Sequence, residues 1–306
     1  MHHVFVFPGV RVRCAPLGWY WNVSASYLAA SHQPDPMFAT NGILTLTTDF
    51  GTQDGYVAAM KGVIMGINPD LKLVDVSHHV TPHDVMEGAF ILRHVASSFP
   101  NGTVHLAVVD PGVGSERRPI AMKYRNQLFV GPDNGLFSLL LAGHTAEQVV
   151  ELDQPRFWRT PELSSTFHAR DLFAPVAARL ASGLSLSSAG TPVESVRTLH
   201  WALPIADEQG IQGWVVHIDR FGNCITNIDR TLFESRRANR DFKCYAGSSI
   251  ITSNSRSYSD VEAGEATVLF NSSNILEIAI YRGSASSLLD IRKGAPVNIL
   301  FQDDKS

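Results

Sequence analysis

Residues able to do chemistry gather in a few short stretches. In VDPGVGSERR, 109–118, an acid, two glycines and two arginines follow an apolar run. The glycines permit a loop that folds back, so Asp110 and Arg117 can meet as a carboxylate–guanidinium pair. Such a pair is either a structural tie within a turn or the holder of a charged reactant. In STFHARD, His168 precedes a helical segment whose first turn suits Asp171. A neutral imidazole there can accept a proton or direct a water, and a hydrogen-bonded surface histidine explains the same letters.

HHVTPHD, 78–84, packs three histidines and an acid into seven residues, with Asp75 upstream. Imidazoles and carboxylates suit zinc, iron or manganese, but His78, His79, His83 and Asp84 follow neither HExxH nor CxxC spacing, and no metal is expected. Asp49 and Asp54 either meet a sugar diol or cap the next helix. In HIDRFGNCITNI, Asp219, Phe221 and Asn223 offer an acid, a ring and an amide that can sandwich and read a base edge; a β-hairpin explains them equally well. GPDNG, 131–135, reads as a tight connection. No glycine run fits GxxxxGK[ST] or a clear GxGxxG, so a phosphate cradle is unsupported.

The elements that must position these groups alternate in type. ILTLTTDFG is a buried strand ending in a loop, YVAAMKGVIMGI has helical spacing stopped by Asn68-Pro69, and LKLVDVS is a second strand. A helix over 84–99 and the strand TVHLAVVD follow. This order predicts βαβ units, a mostly parallel sheet with helices on both faces, and ligands at the carboxyl ends of its strands. Beyond GTPVESVRTLHWALP, short strands such as WVVHID, EATVLF and ILEIAIY predict a smaller all-β, barrel-like domain. The expected division is a poorly ordered extension over 1–40, with Met37 a natural start, an α/β catalytic domain over 41–195 and the β domain over 196–306.

The chain has 306 residues, enough for two domains, and 44% hydrophobic with 18% charged residues, a globular composition. A net charge of -4 and the lack of a dense basic patch argue against nucleic acid. No apolar window is long enough to span a bilayer. Cys14, Cys224 and Cys244 are odd in number and far apart, which suggests ordinary thiols in a reducing, cytoplasmic setting.

Taken in order, TLTTDFG, INPDLKLVDVSHHVTPHDVMEGAF, PNGTVHLAVVDPGVGSERRPIA, VGPDNGLFS, SSTFHARDLFAPVAA, IDRFGNCITNI and NSSNILEIA strongly resemble the adenosine-forming S-adenosyl-L-methionine hydrolases. That family, SAM hydroxide adenosyltransferase, is related to the fluorinases and chlorinases. The resemblance runs from about Gly42 to the C-terminus. It implies a larger α/β and a smaller barrel-like β domain, a homotrimer with substrate at the subunit interface, and no cofactor or metal. It places the water-handling acid, arginine and histidine on Asp110, Arg117 and His168. It also implies that Asp49 holds the ribose hydroxyls, that His83 stands beside the substrate, and that Asp219, Phe221, Asn223 and Ser272 contact it. Asn274 stands where the family usually has glycine, and the resemblance places the adenine-binding segment near 281–285.

The implied reaction is attack of an activated water on the ribose C5′ carbon, giving adenosine and L-methionine. Halogenating relatives replace the polar trio with residues that leave room for a halide, so the trio favours water. A non-catalytic adenosine or S-adenosyl-L-methionine sensor is the competing reading, with a halogenase or a metal hydrolase behind it; turnover, halide dependence and chelation separate them.

Overall fold

The computed structural model describes residues 39–199 and 202–302. Cys14, Met37 and most of the expected extension lie outside them. The first sheet uses β1 (Ile43–Thr48), β2 (Lys72–Ser77), β3 (Val104–Val108), β4 (Pro119–Tyr124), β5 (Gln127–Pro132), β6 (Gln148–Glu151) and β7 (Thr191–Pro192), in the order β2-β1-β3-β5-β4-β6-β7. Its helices are α1 (Tyr56–Ile67), α2 (Val85–Ala96), α3 (Ser138–Leu141), α4 (Ala174–Ala181) and α5 (Leu186–Ala189).

Strand alternation builds two cores. Val104, Leu106 and Val108 of β3 face one way with Leu128 and Val130 of β5, under α1, α4 and α5. Ala107, Phe129, Ile120 and Met122 face the other, under α2 and α3. Helices therefore cover both faces, as expected. β2, β1, β3 and β5 pair in parallel, whereas β4, β6 and β7 add antiparallel, so the sheet is mixed. The change of direction comes at the two-residue turn Arg125-Asn126, where both residues have positive φ, the geometry that twists a hairpin correctly.

The second sheet comprises β8 (Ile205–Ala206), β9 (Gly210–Ile218), β10 (Cys224–Asp229), β11 (Asp241–Ala246), β12 (Ser249–Ile251), β13 (Asn254–Ser255), β14 (Ala266–Phe270), β15 (Ile275–Ile280) and β16 (Pro296–Gln302). Its order is β12-β11-β16-β9-β10-β15-β14-β13, with β8 beside β9, and it curls until β12 approaches β14. The strand-rich pattern concealed two helices, α6 (Arg230–Arg237) and α7 (Ala285–Leu288). α6 exists because the Asp229 carboxylate accepts the Leu232 N–H and only Phe233 is buried on its apolar face.

The two sheets meet along α2. Phe90 stacks on His217, His94 bonds Ser273 at 2.6 Å, and Lys293 pairs with Asp84 and Glu87. Cys224 and Cys244 are buried, free thiols, each pushed up to about 12 by burial. Among the described residues no helix is long and apolar enough to cross a membrane.

Candidate active site

β1 and β3 are parallel neighbours, with Thr48 opposite Val108, so Asp49 and Asp110 emerge side by side at their carboxyl ends. The loop after β3 folds tightly: the Val113 N–H donates to the Asp110 carbonyl, and Ser115 bonds Gly112 through both its N–H and its hydroxyl. This returns Arg117 to Asp110. Gly114, at φ +78°, lets the loop lie against the 164–168 segment; a Cβ there would stand 2.6 Å from the Ser165 carbonyl oxygen.

Arg117 Nε donates to both Asp110 oxygens at 3.1 and 3.0 Å, and its terminal nitrogen donates to Oδ2 at 2.5 Å. The same terminal nitrogen stands 2.9 Å from His168 Nδ1. Both members of the ion pair are only 5% exposed. A guanidinium can only donate, so Nδ1 must accept and the imidazole proton sits on Nε2. Burial, then the Arg117 charge, hold His168 below its ordinary value of 6.5, against the pull of Asp110 and Asp171. The ring is neutral at pH 7.

His168 is held by an unusual turn. Ala169–Phe173 is π-helical and runs straight into α4. Pro175 has no N–H to offer the Asp171 carbonyl, and the Arg159 N–H takes that acceptor at 2.8 Å. The Asp171 carboxylate, 2% exposed, is gripped by Arg159 and Arg170. Asp171 thus anchors the turn that carries His168.

Asp110 and His168 line a cavity of about 420 Å³ with Phe50, Tyr56, Val113 and Phe167. Phe167 meets Phe50 and Tyr56 edge-on, those two rings tilt against each other, and with centroids 5.2 to 6.0 Å apart the three form an apolar wall in the cavity that Asp110 and His168 line. The sequence reading named the trio and missed this wall, whose members come from two separated segments, 50–56 and 167.

Asp49 does not cap α1, whose N-cap is Gly55; its carboxylate accepts the His83 N–H at 2.9 Å. Asp54 makes no cap either. His83 has φ +69° and lines a shallow recess with Asn134, apart from the trio's cavity. The histidine cluster disperses: buried His78 lies between Thr48 and Asp75, His79 approaches Thr52, and Asp84 caps α2 through the Glu87 N–H. No group of three metal-type donors converges among the described residues. In GPDNG, Asp133 holds Arg118 and the Arg197 N–H, while the Asn134 amide reaches the Val109 carbonyl, so the turn anchors both the strand end and the connection to the second sheet.

On the second sheet, Asp219–Asn223 is the β9–β10 hairpin turn. Asp219 Oδ1 accepts the Phe221 and Asn223 N–H groups and Oδ2 accepts the Asn223 amide. The Phe221 ring is 78% exposed. Gly222, at φ +84°, packs against Ser284, and its carbonyl accepts the Ser286 N–H, which joins this turn to the 281–285 segment. Asp219 and Ser272 line a recess of about 670 Å³ with Tyr258, Asn271 and Glu277, groups that the sequence reading missed. Burial, with Asp219 nearby, raises Glu277, although it accepts Tyr258 O–H at 2.7 Å and the Asn271 amide at 3.2 Å. A carboxylate inside the apolar run ILEIAI was the signal available for it. Asn274 has φ +57°, so asparagine adopts the left-handed backbone that glycine would supply.

Two groups of side chains thus stand on separate sheets, without shared lining residues. Against known proteins, the model of the SAM hydroxide adenosyltransferase N-terminal domain matches residues 44–190, and that of the C-terminal domain matches 213–298. The chain is 37% identical over 262 residues to an (R)-S-adenosyl-L-methionine hydrolase of Salinispora arenicola, covering 84% of this chain and 97% of the relative. It is also 30% identical over 229 residues to a fluorinase of Nocardia brasiliensis, covering 65% and 76%. The crystal structure of an uncharacterized conserved protein from Thermotoga maritima superposes with a TM-score of 0.76 at 35% identity, covering 84% of this chain and 99% of that one.

Proposed function

Because the chain belongs to the SAM hydroxide adenosyltransferase family, we propose that it hydrolyses S-adenosyl-L-methionine to adenosine and L-methionine, with Asp110, Arg117 and His168 handling the water. One observation carries the assignment of roles: a single guanidinium ties the Asp110 carboxylate to the His168 ring in one cavity. With Nδ1 occupied, the Nε2–H can only donate, so His168 directs the water oxygen by donating to it. Asp110 is the acceptor for the proton the water loses.

The O–C5′ bond forms as the C5′–S bond breaks. The sulfonium takes the electron pair and leaves as the neutral thioether of methionine, and the proton passes from water to Asp110 and then to solvent. Because the leaving group is already activated, catalysis rests on placing water in line with the C–S bond. The rings of Phe50, Tyr56 and Phe167 supply the apolar side against which the substrate body is held.

Asp49, beside Asp110 at the neighbouring strand end, is the group for the ribose hydroxyls, with His83 next to it. Asp219, Phe221, Asn223 and Ser272 form the complementary half of the substrate site. Their place on the other sheet, and the exposure of Phe221 and Tyr56, support assembly as a homotrimer in which the β domain (196–306) of one subunit covers the catalytic domain (41–195) of the next. The two buried thiols fit a reducing, cytoplasmic location.

The test is chromatography of products after incubating the full-length protein with S-adenosyl-L-methionine, with and without chloride. Equal amounts of adenosine and methionine, unaffected by chloride, are expected. A chlorinated nucleoside, or tight adenosine binding with no turnover, would overturn the reading.

A further inference from the structure

A cavity of about 710 Å³, flanked by both sheets, lies at the end of the first sheet opposite the trio. Asp49 and Asp110 follow the carboxyl ends of β1 and β3, whereas Phe99 and Asn101 precede β3 and Gln127 opens β5, so these lining residues mark the amino ends. The second sheet contributes the start of α6 and the β14–β15 turn, through Arg230, Thr231 and Asn274. The volume falls within the range of small-molecule sites.

Three guanidinium groups, of Arg93, Arg125 and Arg230, line this cavity against one carboxylate, Asp229. Asp229 is already engaged in capping α6. Arg125 lies over the Tyr124 ring and Arg230 over the Phe270 ring, and among the described residues none of the three guanidinium groups forms an ion pair, Glu147 accepting only the Arg125 backbone N–H. Arg93 has neither a hydrogen bond nor a ring contact among the described residues. Its place in the last turn of α2 favours a positive charge, yet burial and the Arg125 charge push the guanidinium below its ordinary range, with Asp229 opposing. A helix-end cation meets no such penalty at the surface. Arginine does not escape the penalty by losing its proton, and an anion supplied from outside offsets it.

We infer that this cleft is a second site, separate from the reaction centre, for a small organic phosphate whose anionic group is held by Arg93, Arg125 and Arg230 and whose flat body rests on Phe99 and Leu140. The planar fork of arginine matches phosphate oxygens two at a time. Because the cleft joins α2 to α6 and the β14–β15 turn, its ligand bridges the same two sheets that meet through His94 and Ser273.

The experiment is calorimetric titration of the full-length protein with AMP, carried out in saturating adenosine so that the substrate pocket is filled. Saturable binding that weakens with added salt, is displaced by inorganic phosphate, and falls at least tenfold in Arg93→Gln with S-adenosyl-L-methionine turnover unchanged is expected. No binding in saturating adenosine would overturn the inference, as would an unaltered affinity in Arg93→Gln. Should Arg93→Gln fail to fold, Arg230→Gln, altered at an exposed position, must show the same drop.

Discussion

Replacing Arg117 by lysine keeps the charge and removes the fork. An ammonium placed against Asp110 is a point donor that does not also reach His168 Nδ1 in the geometry the guanidinium spans. The lost contact is a hydrogen bond to a charged donor, worth about 1.5 to 3 kcal/mol. If the bond matters only for orienting the ring in the transition state, kcat falls roughly 10- to 150-fold with KM little changed. Arg117→Ala goes further, since it leaves a carboxylate that is 5% exposed without its partner, at a stability cost of about 3 to 5 kcal/mol. It also removes a charge that depresses the His168 pKa. Protonation at Nδ1 ends the Arg117 contact that orients the ring, so wild-type turnover is lost as pH falls through the folded-state pKa, which lies below 6.5; in Arg117→Ala, which has no such contact to lose, this acid limb must be lost. Chromatographic initial rates across pH, with melting temperatures as a folding check, read both effects. Wild-type kcat in Arg117→Lys, or an acid limb that persists in Arg117→Ala, would refute the reasoning.

His105 is 1% exposed, and burial lowers its pKa from 6.5 to about 4, so it folds neutral. Its contribution is intact above pH 6.5 and is lost as pH falls toward 4, a loss of at most about 3 kcal/mol; denaturant titrations of His105→Phe should show a flatter decline over that window. Gly114→Ala combines φ +78° with a clash on the Ser165 carbonyl, and calorimetry should show destabilisation of about 1 to 3 kcal/mol together with slower turnover, because Ser165 leads into His168. Asn274→Gly keeps the left-handed backbone and should change stability by only a few tenths of a kcal/mol, whereas Asn274→Val should cost at least about 1 kcal/mol by the same assay.

Local rules explain why some of this was legible. Asp110 and Arg117 are seven residues apart on a glycine-containing loop, close enough for spacing to suggest their meeting. His168 joins them from 51 residues further on, and only the resemblance linked the three motifs. The parallel strands and their helices announced themselves by period, and Asp84, the expected start of the helix over 84–99, is the N-cap of α2, which ends earlier, at Ala96. The β4–β5 hairpin stayed hidden because its turn is Arg125-Asn126, without the glycine that signals such turns. The aromatic wall and the Tyr258–Glu277 contact depend on segments distant in the chain, where no periodicity speaks. Asp133 looked like a turn residue, and its work on Arg118 and Arg197 is visible only once both are folded against it.

The central claim is that water, placed by Asp110 and His168, attacks the ribose C5′ carbon. Running the reaction in oxygen-18 water and weighing the adenosine tests this directly. One heavy oxygen located at the 5′-hydroxyl, formed much more slowly by His168→Ala, is the predicted result. Adenosine that carries no label, or label that appears in methionine instead, would contradict it.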